Sequence, residues 1–249
     1  MNQLFNIVVM TVPRPTNYIH NIVSRLPQNQ SLTLMVGCMS TRHIESFSGD
    51  ERINVVLPSE TEWSIISKSA SGKHHWACWN YWRALKHAAM HQTASYSIIL
   101  EDDVLPSMHW LRVLDKILGA LEQSCGNRFL LSLYRPGMRP PKRQLTRLGY
   151  CEYPSRRFYG SQAMCYPSNV IAEASQFLEE HGVDSFKDPY DILLGRCVRE
   201  AGLRLFNTVP SLVQHIGLTS TGLGVFHQSG FLLGEKTIGD ICSGDQAFR

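Results

Sequence analysis

Short apolar runs alternate with longer stretches of helical periodicity along this chain, the pattern of strands joined by crossover helices. In the first half the strand-like runs are residues 5–10, 32–36, 53–57 and 96–100. A helix is predicted over 18–26, between the first two runs, and another over 74–90, ahead of the fourth. Trp76, Trp79, Trp82 and Leu85 recur in the latter at helical spacing. All four are apolar, so they read as a core stripe and not as a base-stacking platform. The second half carries helices over 108–123, 168–181 and 188–201, with strands over 129–134 and 203–209. Between them, RPGMRPPKRQLTR (135–147) reads as an exposed loop. From Gly217 on, Gly and Ser are frequent and no period persists, which predicts a closing loop and a loosely packed tail over 221–249. No internal repeat is visible. The fold expected is a single α/β domain over 1–249, a mostly parallel sheet flanked by helices. Such sheets bind ligands at the carboxyl ends of their strands, which directs attention to the ends of the first and fourth.

Composition supports a packed domain: of 249 residues, 43% are hydrophobic and 18% charged, so disorder is not expected. A formal net charge of +3 is too weak to imply a nucleic-acid or membrane partner by itself. The opening MNQLFNIVVM lacks a basic n-region and reads as a buried strand, not as a signal peptide. No window offers about 18 uninterrupted apolar residues, so no membrane span is expected. Seven cysteines occur, at positions 38, 78, 125, 151, 165, 197 and 242. None forms a CxxC pair, which speaks against a zinc knuckle or redox dithiol; reduced thiols in a cytoplasmic protein are expected.

Three places carry candidate chemistry. The fourth strand ends in SIILEDDVLPS, placing Glu101, Asp102 and Asp103 directly after four apolar residues. Packed carboxylates repel unless a cation or hydrogen-bond donors hold them, and hard oxygen ligands suit Mg²⁺ or Mn²⁺. The alternative is an acidic turn capping a helix that begins near Pro106. Second, Asp188-Pro189-Tyr190-Asp191 precedes the apolar-periodic ILLGRCV. Asp at a cap with Pro at the first helical position is a helix start, and Asp191 near the third position would be held ionised by the helix dipole. It would then either accept a proton from an attacking hydroxyl or simply cap the helix. Third, His215 follows the last strand. A lone histidine is more often structural than a ligand, yet neutral imidazole suits a divalent ion already held by carboxylates. The TSTGLG that follows (219–224) offers hydroxyls and amides to a diphosphate.

Together these residues resemble GT-A glycosyltransferases, in particular the branching N-acetylglucosaminyltransferase IV type. The likeness rests on LEDDV (100–104), RFYGSQAMCYP (157–167), DPYDILLG (188–195) and PSLVQHIG (210–217). It implies a Rossmann-like GT-A domain with a nucleotide-sugar-binding half over 1–104 and an acceptor and catalytic half over 105–220. It implies an inverting, metal-dependent transferase using a nucleotide-sugar donor, UDP-linked in this family. On it, Asp103 and His215 are the metal ligands of an Mn²⁺ or Mg²⁺ site, Asp102 belongs to the donor ribose or metal shell, and Asp191 is the general base. Glu101 and Gly160 join the donor site, Thr11, Val12, Pro13 and Arg14 form its nucleobase edge, and Lys73 and Asn80 are candidates for the diphosphate. The animal branching enzymes carry a membrane anchor and a lectin-like tail; this chain shows neither pattern and reads as a compact bacterial or phage relative.

Two rival readings share these features: a nucleotidyltransferase or other phosphoryl-transfer enzyme, and a non-catalytic sugar-nucleotide binding module. For the acceptor, seven basic residues (Arg135, Arg139, Lys142, Arg143, Arg147, Arg156, Arg157) stand against Glu152 alone between positions 135 and 157. They suit docking of an anionic acceptor, a glycan, lipid-linked glycan or nucleic acid, or else a solvated loop.

Overall fold

The central strands form because their residues are apolar without alternation and therefore bury both faces. In β1 (Phe5–Thr11), Ile7, Val8 and Val9 are all fully buried, and so are Ile98, Ile99 and Leu100 in β4 (Tyr96–Glu101). These features belong to a computed structural model that describes residues 4–68, 72–91, 94–135, 149–182 and 188–217, the side chains of 72–74, 157 and 182 lying outside that set. The basic segment 136–148, the 219–224 segment and the predicted tail lie outside the described residues.

The remaining strands are β2 (Leu32–Val36), β3 (Ile53–Val56), β5 (Val104–Pro106), β6 (Phe129–Ser132), β7 (Gly149–Glu152), β8 (Ala163–Pro167), β9 (Arg204–Val209) and β10 (Val213–His215). Eight of them make one sheet in the order β3-β2-β1-β4-β8-β6-β9-β7, while β10 and β5 form a separate two-stranded ribbon. The pairs β3–β2, β2–β1, β1–β4 and β6–β9 are parallel; β8 runs antiparallel to both its neighbours, and β7 antiparallel to β9. The sheet is thus mostly parallel, as expected, with one reversed strand inserted at its centre.

Helices cover both faces. One face packs Ile7, Val9, Leu34 and Ile98 against α1 (Ile19–Val23) and α4 (Trp110–Cys125). The other packs Val8, Met10 and Ile99 against α3 (Gly72–Met90), α5 (Ser168–Gly182) and α6 (Tyr190–Glu200). The alternation Ile7/Val9 against Val8/Met10 is the two-residue strand period dividing one apolar run between two cores. Trp79, Trp82 and Leu85 are buried in the second core, so the aromatic stripe is core, as the spacing predicts.

Several elements are absent from the sequence reading. Helix α2 (Glu60–Ser67) starts at a capping box in which Ser59 and Glu62 hydrogen-bond each other's backbone amides, a signal present in SETE. Strand β8 is a five-residue run with no polar alternation, and β5, β7 and β10 are three or four residues long, too short to show a period. No helix among the described residues is long and apolar enough to cross a membrane. The six cysteines among the described residues are all free thiols; Cys242 lies outside them.

Candidate active site

Strands β1 and β4 run parallel with Met10 opposite Glu101, so their carboxyl ends lie side by side. The chain beyond each end converges on one spot. After β4, Asp102 and Asp103 turn out of the main sheet into β5, which pairs with β10 so that His215 faces Val104. The Ile216 amide donates to the Asp103 carbonyl at 2.9 Å and fixes this crossing. The acidic turn therefore leads into a strand and caps no helix: α4 begins only at Trp110, behind His109 in a left-handed conformation. That removes the capping alternative for the acidic triplet.

The side chains form a dense polar cluster. Asp102 Oδ2 accepts from the Thr11 hydroxyl at 2.7 Å and from the Val12 amide at 3.3 Å. Arg14 Nη2 lies 2.8 Å from Asp102 Oδ1, and its Nη1 lies 2.6 Å from Asp103 Oδ2. His215 Nε2 lies 3.2 Å from that same Asp103 oxygen. The Tyr190 hydroxyl donates to Glu101 Oε1. Asp102 and Asp103 are 3% and 4% exposed, which makes their charges expensive without partners.

Electrostatics follow from burial. Burial first, then the nearby Asp103 charge, pushes Glu101 up to about 7. Burial pushes Asp102 up to about 6 against the pull of Arg14. At Asp103 burial acts in the same sense, but hydrogen bonding from His215 and the charge of Arg14 outweigh it and hold its carboxyl below the usual range. A carboxylate whose folded pKa is raised binds its proton more tightly in the folded state, so the stability it contributes falls as pH rises from its unfolded value towards the folded one. His43 and His87, lowered by burial, give the opposite slope, so the informative comparison is with Glu101→Gln. In EDTA, the variant should gain urea resistance relative to wild type as pH rises from 5 to 8. A constant difference across that range would contradict the raised Glu101 value.

The donor set fits a hard or borderline divalent ion. One ligand atom each from Glu101, Asp103 and His215 lies within 4.8 Å of the others. Asp103 Oδ1 is buried and accepts no hydrogen bond among the described residues, an oxygen that a cation would satisfy. Two carboxylate oxygens with one imidazole suit Mn²⁺, and Mg²⁺ less well. A side chain at Gly217 would displace the Asp103 carboxylate, which a Cβ there would meet.

Helix α6 brings Asp191 to the same end of the sheet. The helix starts at Tyr190 with Pro189 as its N-cap, so Asp188 is not the cap that the sequence suggests. The Pro189 backbone is extended, the Asp188 carbonyl accepts from Cys78 Sγ, and its carboxylate faces Arg196 at 3.9 Å. Asp191 accordingly sits at the second helical position, where its Oδ1 accepts from the Ile192 amide at 2.9 Å. Tyr190 ties the helix to the acidic end of β4 through Glu101, and its ring stacks on Tyr81 with centroids 4.5 Å apart. Tyr81 in turn hydrogen-bonds the Tyr166 hydroxyl at 2.6 Å. Tyr159, which is exposed, is raised by partial burial and then by the charges of Asp191 and Glu101.

Of the residues singled out from sequence, Thr11, Val12, Arg14, Glu101, Asp102, Asp103 and His215 share one network. Asn80 lies beside it, its amide packed near Gly37, whose nitrogen bonds the Thr11 carbonyl. Gly160, with φ of +102°, makes the turn into β8 and accepts from Ser132 Oγ at 3.3 Å. Pro13 is exposed at the edge, and the Lys73 side chain lies outside the described set. Arg14 faces the carboxylates. Tyr190 and Gly217 were given no site role from sequence, although both stand inside the quoted strings: Tyr190 precedes Asp191, and Gly217 lies two positions after His215.

No family model matches the sequence, and no curated protein is significantly similar to it. Among solved structures the chain is similar to S. aureus TarS, with a TM-score of 0.52 and 11% identity over 82% of this chain. It spans 35% of the TarS chain, so the likeness concerns the fold of one part of that protein. The chain has a GT-A-like α/β fold.

Proposed function

We propose that the chain is a metal-dependent, inverting glycosyltransferase that moves a hexosyl or N-acetylhexosaminyl unit from a UDP-sugar to an acceptor hydroxyl. One observation carries the reading. Glu101, Asp103 and His215 meet at the carboxyl end of β4, and Tyr190 couples this cluster to the helix start that bears Asp191. This link between the acidic cluster and the start of α6 supports reading the cluster as the metal ligands and Asp191 as the base.

Bound by Glu101, Asp103 and His215, a divalent ion supplies charge neutralisation for a departing diphosphate. The protein's own residues perform the rest. The Thr11 hydroxyl and Val12 amide hold Asp102 at the donor edge. Asp191 accepts the proton of the acceptor hydroxyl as its oxygen bonds to the anomeric carbon. The bond from that carbon to the phosphate oxygen breaks, and its electron pair leaves on the nucleotide diphosphate. A single displacement inverts the anomeric centre.

Incubation with Mn²⁺ and a panel of nucleotide sugars, with and without oligosaccharide acceptors, tests this. Release of free UDP, slow with donor alone and faster with acceptor, is the expected result. Release of sugar 1-phosphate would assign nucleotidyl transfer instead, and binding without any turnover or hydrolysis would make the chain a binding module.

A further inference from the structure

Arg14 occupies an awkward place for a residue at the edge of a metal site. Its guanidinium bridges the two aspartates, at 2.8 Å to Asp102 Oδ1 and 2.6 Å to Asp103 Oδ2, with 11% of its side chain exposed. Asp103 Oδ2 is also the oxygen that faces His215 Nε2 at 3.2 Å. An ion held by Glu101, Asp103 and His215 would compete with that histidine contact for the carboxylate that Arg14 grips. Two cations on one carboxylate repel unless a further anion lies between them, and repulsion is strong where water is excluded. Arginine remains charged throughout the working pH range, so deprotonation does not relieve this. The diphosphate of a nucleotide is the missing anion, since guanidinium pairs well with phosphate oxygens.

Resting on the metal-dependent reading above, we propose that Arg14 is the resident counter-cation of the acidic pair and makes metal binding conditional on the nucleotide diphosphate. In the ligand-free protein it neutralises Asp102 and Asp103 and disfavours the ion. When nucleotide arrives, the guanidinium turns towards the diphosphate and Asp103 is released to the ion. Arg14 is thus a positioning residue that couples two binding events, in contrast to a reader of the nucleobase. Coupling of this kind is reciprocal: UDP tightens Mn²⁺ by the same factor by which Mn²⁺ tightens UDP.

The experiment is a Mn²⁺ titration of the whole chain, followed by electron paramagnetic resonance of the free ion, with and without UDP. In wild type, UDP should tighten Mn²⁺ about tenfold or more. Arg14→Met should bind Mn²⁺ more tightly than wild type without nucleotide, again by about tenfold, and should lose most of the UDP effect. Arg14→Gln removes the charge but keeps a donor for one carboxylate; it should behave alike and covers the case in which the Met variant does not fold. Independent binding of Mn²⁺ and UDP to wild type overturns the proposal without any variant. Equal or weaker Mn²⁺ binding by a folded neutral variant also overturns it. If wild type binds neither Mn²⁺ nor UDP, the metal-dependent transferase reading falls and takes the proposal with it; if both bind independently, only the role of Arg14 is lost.

Discussion

Exchanging Asp103 for Asn is expected to abolish turnover, lowering it by about 10³-fold or more, the several kcal/mol that a catalytic ion supplies. Asn preserves size, but it removes the charge on which both the ion and Arg14 depend. Asp103 is the only residue of the acidic triplet in direct contact with both Arg14 and His215 among the described residues, so no neighbour replaces it. Mn²⁺ binding in the presence of UDP should fall in parallel with turnover, while circular dichroism remains that of wild type. Full wild-type activity in EDTA would defeat this expectation and move the enzyme to a metal-free class.

Asp191→Asn should lower turnover by about 10²-fold or more, the usual range for losing a positioned base. Asn keeps the size of Asp and an oxygen able to accept from the Ile192 amide, so the local hydrogen bond at the start of α6 survives. It cannot take the acceptor's proton. UDP affinity should barely change, because the metal ligands are untouched. Stability should drop by about 1 kcal/mol or less, the scale of a helix-end contact. If Asp191 only finishes the helix, the pattern reverses: turnover stays within a few-fold of wild type while stability falls. Both quantities, measured on one variant, separate the two roles.

How far the sequence disclosed this site depended on the range of the interactions involved. Strands β1, β2 and β4 were legible because each is built on a short, mostly apolar run, and the Trp-bearing stripe of α3 was legible from its spacing. The acidic triplet was legible because three carboxylates directly after an apolar strand conflict with core packing. The three-residue pairing of β5 with β10 was not legible, since VQH carries no period, although it is what sets His215 against Asp103, 112 positions earlier. The residues alone made the histidine a candidate more often structural than ligating; the likeness of its surrounding string implied a ligand. The bond from Tyr190 to Glu101 likewise spans 89 positions and leaves no local trace. Arg14 shows the same limit: its place after β1 could be read from sequence, whereas the direction of its side chain depends on acids far along the chain.

The β5–β10 ribbon stands apart from the eight-stranded sheet, and its own opening need not wait for the domain to unfold. Its base is anchored: Leu212 and Val213 are fully buried, and the Leu212 amide bonds the Leu133 carbonyl at 2.9 Å. Its tip is held by short local ties, the Ile216 amide on the Asp103 carbonyl and His215 on the Asp103 carboxylate, and Gln214 and His215 are less buried than the base. Fraying from that tip has a free-energy cost set by a few local hydrogen bonds, well below that of global unfolding. Each excursion would withdraw His215 from the proposed metal site and leave the sheet intact. Amide exchange at the tip therefore serves as a gauge of ligation: it should slow when ion and nucleotide are bound, while exchange in β1 and β4 stays the same.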